Sequence, residues 1–522
     1  MWLSVAPTPN LTLTLLLICP LLDQRQRWGD TQTHPIVNFS DLFFDLFYVA
    51  AAYNLSNIIR QSPTKDGFLY FVTCFLAVYM LWWDKTFYDA RFFTYDDAFH
   101  GVFAVAVLVA LASVVLHIRP IAVLSNPTEN VEPFALCISL LIANLLSVSR
   151  YMEIVFIGCV GQDAAVISSR RDALHKILPI VILCAASIYT GIEFYGSGSE
   201  MEEDQQNDDH RVLAGDDKEY GSNAYTTDIP IYLILASSIV HWVPPLIQMF
   251  TSSKDFKSVT VPINVDFTIH RYGEWTMLML GESVLSLLVV ESPTNSDYYI
   301  TFFCGILSVI LLQYMHFRSQ PSKADDHAMR RKRGSGFAFA FLMIAYSAAL
   351  IVLGTSYKML LYEFTYDGSS GRRRSLLPMP RWLAGGDGAL AFATEDRQQR
   401  IAHFFSASFA VVYFCSDAMI LAHRGFKDNM GRCRCRETSK AKTTGVLLVV
   451  LRIGICVFMA TLSQYEADPT LLSVIGLASI VGQIVLRVVS SIVFADDRVH
   501  VDLKEHQEEQ EAVEAEQDKA SE

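Results

Sequence analysis

Residues 99–116 read FHGVFAVAVLVALASVVL. No Asp, Glu, Lys or Arg interrupts the run, and its apolar character goes all round a helix instead of along one stripe. A helix that crosses a bilayer takes about 20 mostly apolar residues. The run is therefore a membrane span, and it is not alone. Stretches of the same kind cover 39–59, 67–83, 133–159, 174–195, 229–250, 275–291, 299–317, 337–361, 401–422, 446–464 and 469–494. The fold expected is all-α, a polytopic membrane helix bundle of about twelve transmembrane helices.

The whole chain agrees. Its 522 residues are 52% hydrophobic and only 18% charged, with a mean hydropathy of +0.30. Soluble domains carry about 25% charged residues, so a set of soluble domains and extended disorder are both excluded. The net charge of −13 lies in two appendages. Glu200 to Glu219 hold nine acids against Arg211 and Lys218, and Ala495 to Glu522 hold eleven against Arg498, Lys504 and Lys519. The body is close to neutral, so the charge says nothing about a substrate.

Four segments are expected: 1–38 at the N-terminus, a first six-span half at 39–250 with an acidic loop at 196–228, a second half at 251–494, and an acidic cytoplasmic tail at 495–522. Gly196-Ser197-Gly198-Ser199 predicts a flexible loop. Leu11–Leu22 is short for a span, contains Pro20 and lacks a basic flank. It fits an interfacial segment, with a cleaved signal as the alternative. The most basic loops, led by Arg330-Arg331-Lys332-Arg333 and Arg424–Lys442, place both termini in the cytoplasm by the positive-inside rule. Most cysteines fall in apolar runs and act as small hydrophobes. Cys433 and Cys435 lie in a basic loop and fit either reversible palmitoylation or two free thiols.

Ionisable residues inside spans are costly and therefore informative. The first span begins Phe39-Ser40-Asp41-Leu42-Phe43-Phe44-Asp45 and continues to Asn54. Asp41 and Asp45 are four apart and share one helical face. Such a pair suits proton exchange or cation coordination. Alternatively, Asp41 caps the helix while Asp45 pairs with an arginine for packing. The seventh span carries His270-Arg271-Tyr272-Gly273-Glu274 and Leu280-Gly281-Glu282-Ser283, where Gly281 would admit a neighbouring helix closely. Arg150 is the deepest base and the expected partner of Asp45 or Glu282, while Arg452 and Arg487 are expected to snorkel. Asp97 and His100 fit half of a metal site or a helix N-cap. His241-Trp242-Val243-Pro244-Pro245 is expected to break the sixth span. With no phosphate loop, His-Glu-x-x-His or serine elbow, neither catalysis nor a cofactor is expected, and the basic patches lack the aromatics of a nucleic-acid binder.

Asp41-Leu42-Phe43-Phe44-Asp45-Leu46, Arg271-Tyr272-Gly273 and Leu280-Gly281-Glu282-Ser283 resemble the signatures of the bacterial low temperature requirement A family. The resemblance runs over roughly 36–494 and implies a multi-pass membrane protein, without fixing a reaction. Asp41 stands where the family has Glu, and His270 where it often has Glu. Phe39-Ser40-Asp41 is also similar to the Phe-Ser-Asp motif of lysosomal-type potassium channels built from two six-helix repeats, though Pro35 stands where those have arginine.

The function expected is movement of an ion or small solute through the bilayer. Asp41, Asp45, Asn54, Glu274, Glu282 and Ser283 would line the path, with Arg150 as charge partner. The rival is a membrane scaffold or sensor whose buried charges are structural. Transport predicts that Asp41, Asp45, Glu282 and Arg150 converge on a wet cavity. A dry, fully paired cluster favours the scaffold.

Overall fold

The computed structural model describes residues 22–24, 39–94, 98–119, 131–157, 163–208, 228–250, 260–290, 295–321, 326–331, 333–366, 387–429 and 439–493. Its helices are α1 (Phe39–Gln61), α2 (Lys65–Asp89), α3 (Ala98–Leu116), α4 (Val131–Ile157), α5 (Asp163–His175), α6 (Ile177–Asp208), α7 (Asp228–Phe250) and α8 (Val265–Leu288). These are followed by α9 (Ser296–Ser319), α10 (Ala328–Arg331), α11 (Arg333–Tyr366), α12 (Asp387–Asn429), α13 (Ser439–Thr461) and α14 (Pro469–Val493). Two three-residue strands, β1 (Leu22–Gln24) and β2 (Phe92–Thr94), pair antiparallel with Asp23 opposite Phe93.

Eleven of the described helical stretches are long and apolar enough to cross a membrane. The twelfth expected span lies in α8, which is of similar length but carries Asp266, Arg271, Glu274 and Glu282. Outward faces suit lipid: Val102, Val105 and Val109 on α3 and Val446, Leu447 and Val450 on α13 are all exposed. In water such faces would drive association.

Helix starts follow local chemistry. The Thr64 side chain accepts from the Gly67 N–H at 3.2 Å. A Cβ at Gly67 would lie 1.9 Å from the Ser62 carbonyl oxygen, so only glycine fits. α14 begins Asp468-Pro469, with the carboxylate accepting from the N–H groups of Thr470 and Leu471 at 2.8 and 3.0 Å. Proline at the first helical position has no N–H to leave unpaired. Asn264 works at both ends: its side chain accepts from the Phe267 N–H, and its own N–H donates to the Ala90 carbonyl, each at 2.9 Å. The start of α8 is thereby fixed to the end of α2.

The chain forms two compact units. Unit 1 comprises Met1–Ser286 with Leu350–Thr355, and unit 2 comprises Leu287–Ala349 with Ser356–Glu522. α8, which would open the second half by sequence, thus belongs to unit 1 through Ser286. Within unit 1, α1 packs on α2 and α3, α2 on α7, and α6 on α4 and α7. Within unit 2, α14 packs on α9 and α13, and α12 on α13.

Several expectations change. α7 runs unbroken through Pro244 and Pro245. The helix expected to end near 195 continues as α6 through Gly196–Ser199 to Asp208. Residues 495–522, Cys433, Cys435 and all of Leu11–Leu22 except Leu22 lie outside the described residues.

Candidate functional site

In unit 1 three groups of charged side chains gather around α2. Asp45 and Arg271, 226 residues apart, form a bidentate pair in which the arginine Nη1 and Nη2 donate to Oδ2 and Oδ1 at 2.8 and 2.7 Å. Their side chains are 2% and 3% exposed. Arg271 Nη1 also donates to Glu274 at 2.7 Å, and Glu274 lies 3.2 Å from His270 Nδ1. A collar of rings encloses the pair's neighbourhood. Trp275 meets Tyr48, Tyr79 and Trp82 at centroid distances of 5.4, 5.4 and 4.6 Å. Such rings exclude water, which strengthens the attraction between the charges and raises the penalty for parting them.

One turn away, Lys85 Nζ donates to Asp41 and to Asp89, both at 2.6 Å, and sits over the Phe44 ring at 4.9 Å. Arg150 Nη1 is 3.6 Å from Asp89, with its guanidinium over the rings of Tyr88 and Phe103 at 5.1 and 5.3 Å. A third group centres on Asp84, which takes Lys176, His241 Nε2 at 3.0 Å and the Ser147 hydroxyl at 3.4 Å. Lys176 donates to Ser147 at 3.1 Å as well.

These groups border a cavity of about 30 Å³, lined by Asp84, Lys85, Ser147 and Arg150 together with apolar residues such as Phe44 and Leu111. That volume accommodates about two waters. The cavity is therefore small, and its lining is mostly apolar, with Asp84, Lys85, Ser147 and Arg150 set among the apolar side chains.

The sequence-derived candidates are thus brought together only in part. Asp41 reaches the cavity wall through Lys85. Asp45 and Glu274 meet at Arg271 instead of Arg150, because α8 presents its guanidinium directly to α1 while Arg150 is engaged with Asp89. Asn54 donates to the Val115 carbonyl at 2.7 Å, linking α1 to α3. Glu282 is buried and accepts from the Ser286 hydroxyl at 2.7 Å. The Ser283 hydroxyl is 3.3 Å from the carbonyls of Met279 and Leu350. None of Asp41, Asp45 and Glu282 lines the cavity itself.

Gly281 differs from expectation too: nothing lies within 4 Å of a Cβ built there. The close approach occurs at Gly354, where a Cβ would come 2.5 Å from Ser283 Oγ. Arg452 and Arg487 do not snorkel but both turn onto Asp417.

Asp84, Lys85, Asp89 and Lys176 were not singled out by sequence, and His241 entered only in the stretch expected to break the sixth span. A hydropathy window ends the second span at residue 83, whereas α2 continues to Asp89. The Trp82-Trp83-Asp84-Lys85 stretch was the available signal, since helix period carries the aromatic face of α2 onward to these charges.

His100 Nε2 lies 3.1 Å from Glu153, while Asp97 is outside the described residues. Among the described residues no three His, Cys, Asp or Glu side chains are grouped to hold a metal ion. No curated protein and no solved structure matches the chain. Residues 37–495 match the family described as Bacterial low temperature requirement A protein (LtrA), over the same body in which the apolar helices and the α2 charge network lie, and the chain belongs to that family.

Proposed function

We propose that this multi-pass membrane protein moves a small ion or solute across the bilayer, with both termini in the cytoplasm, and that it is not an enzyme. One observation carries the reading: a water-sized, mostly apolar cavity counts Asp84, Lys85 and Arg150 among its lining residues and is joined through their ion pairs to Asp41 and Asp89. Charges buried purely for packing need no space beside them. Lys85 is shared by two carboxylates and Arg150 holds Asp89 at 3.6 Å, so partners can exchange as a charged species passes. Glu274, Glu282, Ser283 and Asn54 complete the polar groups along α1 and α8 in this reading, and Asp45–Arg271 anchors the two helices.

A second reading is favoured by a specific observation. Asp41, Asp45 and Asp84 are each ion-paired, as in a scaffold with structural charges.

Flux measurements in proteoliposomes separate the two. Proton, K⁺, Na⁺ and Cl⁻ gradients would be imposed across vesicles holding the native protein, Lys85→Met or Gly281→Ala. Transport predicts flux of at least one ion with native protein and Gly281→Ala, and at least a tenfold loss with Lys85→Met in a folded, monodisperse sample. Absence of flux under every gradient from well-folded native protein would leave the scaffold.

A further inference from the structure

In unit 2, α12, α13 and α14 bring three charges together. Arg452 Nη2 and Arg487 Nη2 both donate to one oxygen, Asp417 Oδ1, the latter at 2.8 Å. Arg487 also donates to the Ser416 hydroxyl at 2.8 Å and to the Met315 carbonyl at 3.2 Å. Two guanidiniums therefore converge on a single carboxylate, leaving one positive charge in excess. Asp417 is the only acid that either arginine reaches among the described residues.

Donors are in surplus as well. A guanidinium carries five N–H groups and cannot give up its charge in a protein. The Nε atoms of both Arg452 and Arg487 are buried and have no acceptor among the described residues, and Arg487 as a whole is 9% exposed. An uncompensated buried donor costs more than a bond unmade in water, and a charged one costs most. The cluster is not sealed, however, since the Asp417 side chain is 21% exposed.

We propose that Asp417, Arg452 and Arg487 form an anion site whose occupant is a phosphate group. Phosphate matches the planar fork of a guanidinium as a carboxylate does, and with more than two acceptor oxygens it can accept from two arginines at once. Asp417 orients both guanidiniums and keeps the empty site tolerable, while the excess charge and the unused Nε donors supply the attraction. Asp417 lies six residues inside the end of one apolar stretch, at His423, Arg452 seven inside the start of the next, at Gly445, and Arg487 three inside the end of the last, at Ser490. At the rise of an α-helix these are depths of roughly 5–10 Å, within reach of a lipid headgroup drawn inward or of a free anion from the basic-loop side. This site is independent of the transport reading.

The test is thermal unfolding of the full-length protein under two sources of phosphate. One arm titrates inorganic phosphate against gluconate at constant ionic strength in a neutral detergent. The other compares nanodiscs of phosphatidylcholine alone with nanodiscs containing phosphatidylglycerol. The native protein should unfold several degrees higher in at least one arm; a shift in the first alone identifies a soluble anion, and in the second alone a lipid headgroup. Arg452→Gln should abolish that shift. Asp417→Asn, with both arginines kept, should enlarge it, because its guanidiniums then depend on the added anion. Equal shifts in native protein and Arg452→Gln, or no shift in either arm with folded protein, would overturn the assignment. A merely structural triad predicts that all variants respond to phosphate alike.

Discussion

The network around α2 and the cluster around Asp417 solve the same problem in opposite ways. Around α2, the acids Asp41, Asp45, Asp84, Asp89 and Glu274 meet the fixed bases Lys85, Arg150, Lys176 and Arg271, with His241 and His270 at the margins. Positive charge is shared among several carboxylates, and a small cavity lies beside the shared groups. At Asp417 the sharing is inverted, with one carboxylate serving two arginines. The first arrangement can rearrange internally without importing charge. The second is complete only when an anion joins it. Buried ion pairs in one chain need not share a role, and the ratio of acids to bases separates them.

The largest expected effect tests the balanced side. Asp45→Asn removes the bidentate partner of Arg271 and leaves Glu274 as its remaining acid, which should cost about 3 kcal/mol of stability, the low end for a broken buried pair. The double variant Asp45→Asn with Arg271→Met should recover most of that loss, measured by thermal unfolding in nanodiscs. If Asp45→Asn alone is as stable as the native protein, the pair is not what fastens α8 to α1.

Gly354 gives the next effect, within unit 1. An alanine Cβ there would meet Ser283 Oγ at 2.5 Å and Ser283 Cα at 2.8 Å. Overpacking of this kind costs about 1–3 kcal/mol. Gly281→Ala meets nothing within 4 Å and should gain up to about 1 kcal/mol from helix propensity. Equal unfolding temperatures for the two variants would remove Gly354 as the point of closest approach.

Removing a base from the other cluster should matter less. Arg452→Gln turns two cations on one acid into a simple Arg487–Asp417 pair, so the expected loss is at most about 1 kcal/mol for such a partly exposed pair. A loss as large as that of Asp45→Asn would erase the contrast, because it would mean Arg452 is as tightly required as Arg271.

How much of this was legible in the sequence depended on distance along the chain. Residues 99–116 announce a span because local composition suffices: no charge interrupts them and every helical face is apolar. Asp41 and Asp45 were visible as costly acids for the same reason. Their partners were not, since hydropathy says nothing of which base 226 residues away will face Asp45, and depth favours Arg150, inside 133–159, over Arg271, which precedes the 275–291 stretch. Lys85 and Asp89 were lost because the apolar window closes before α2 does. Gly281 and Gly354 show the limit for small residues. A missing side chain permits close approach, but only the packing of neighbouring helices decides which glycine is used.

The smallest effect concerns a buried histidine outside both charge arrangements. His327, beside α10 in unit 2, is buried with its ring 4.3 Å from that of His423, whose Nδ1 accepts from the Ala328 N–H at 3.1 Å. Burial, with the neighbouring His423 adding to it, pushes the His327 pKa from 6.5 down to about 3. A histidine held neutral in the fold binds its proton more readily when unfolded. Its contribution is therefore fully present above pH 6.5 and falls away as the pH drops toward 3. Between pH 7 and 6 the change should stay below about 1 kcal/mol. His327→Gln should flatten the fall in unfolding temperature over that interval, while Arg452→Gln should leave its slope unchanged, since arginine does not titrate there. If His327→Gln retains the native slope, the acid sensitivity arises from other histidines. The same measurement on His316 and His423 of unit 2 against His241 and His270 of the α2 network would then decide whether the contrast between the two regions extends to protons as well as to fixed charge.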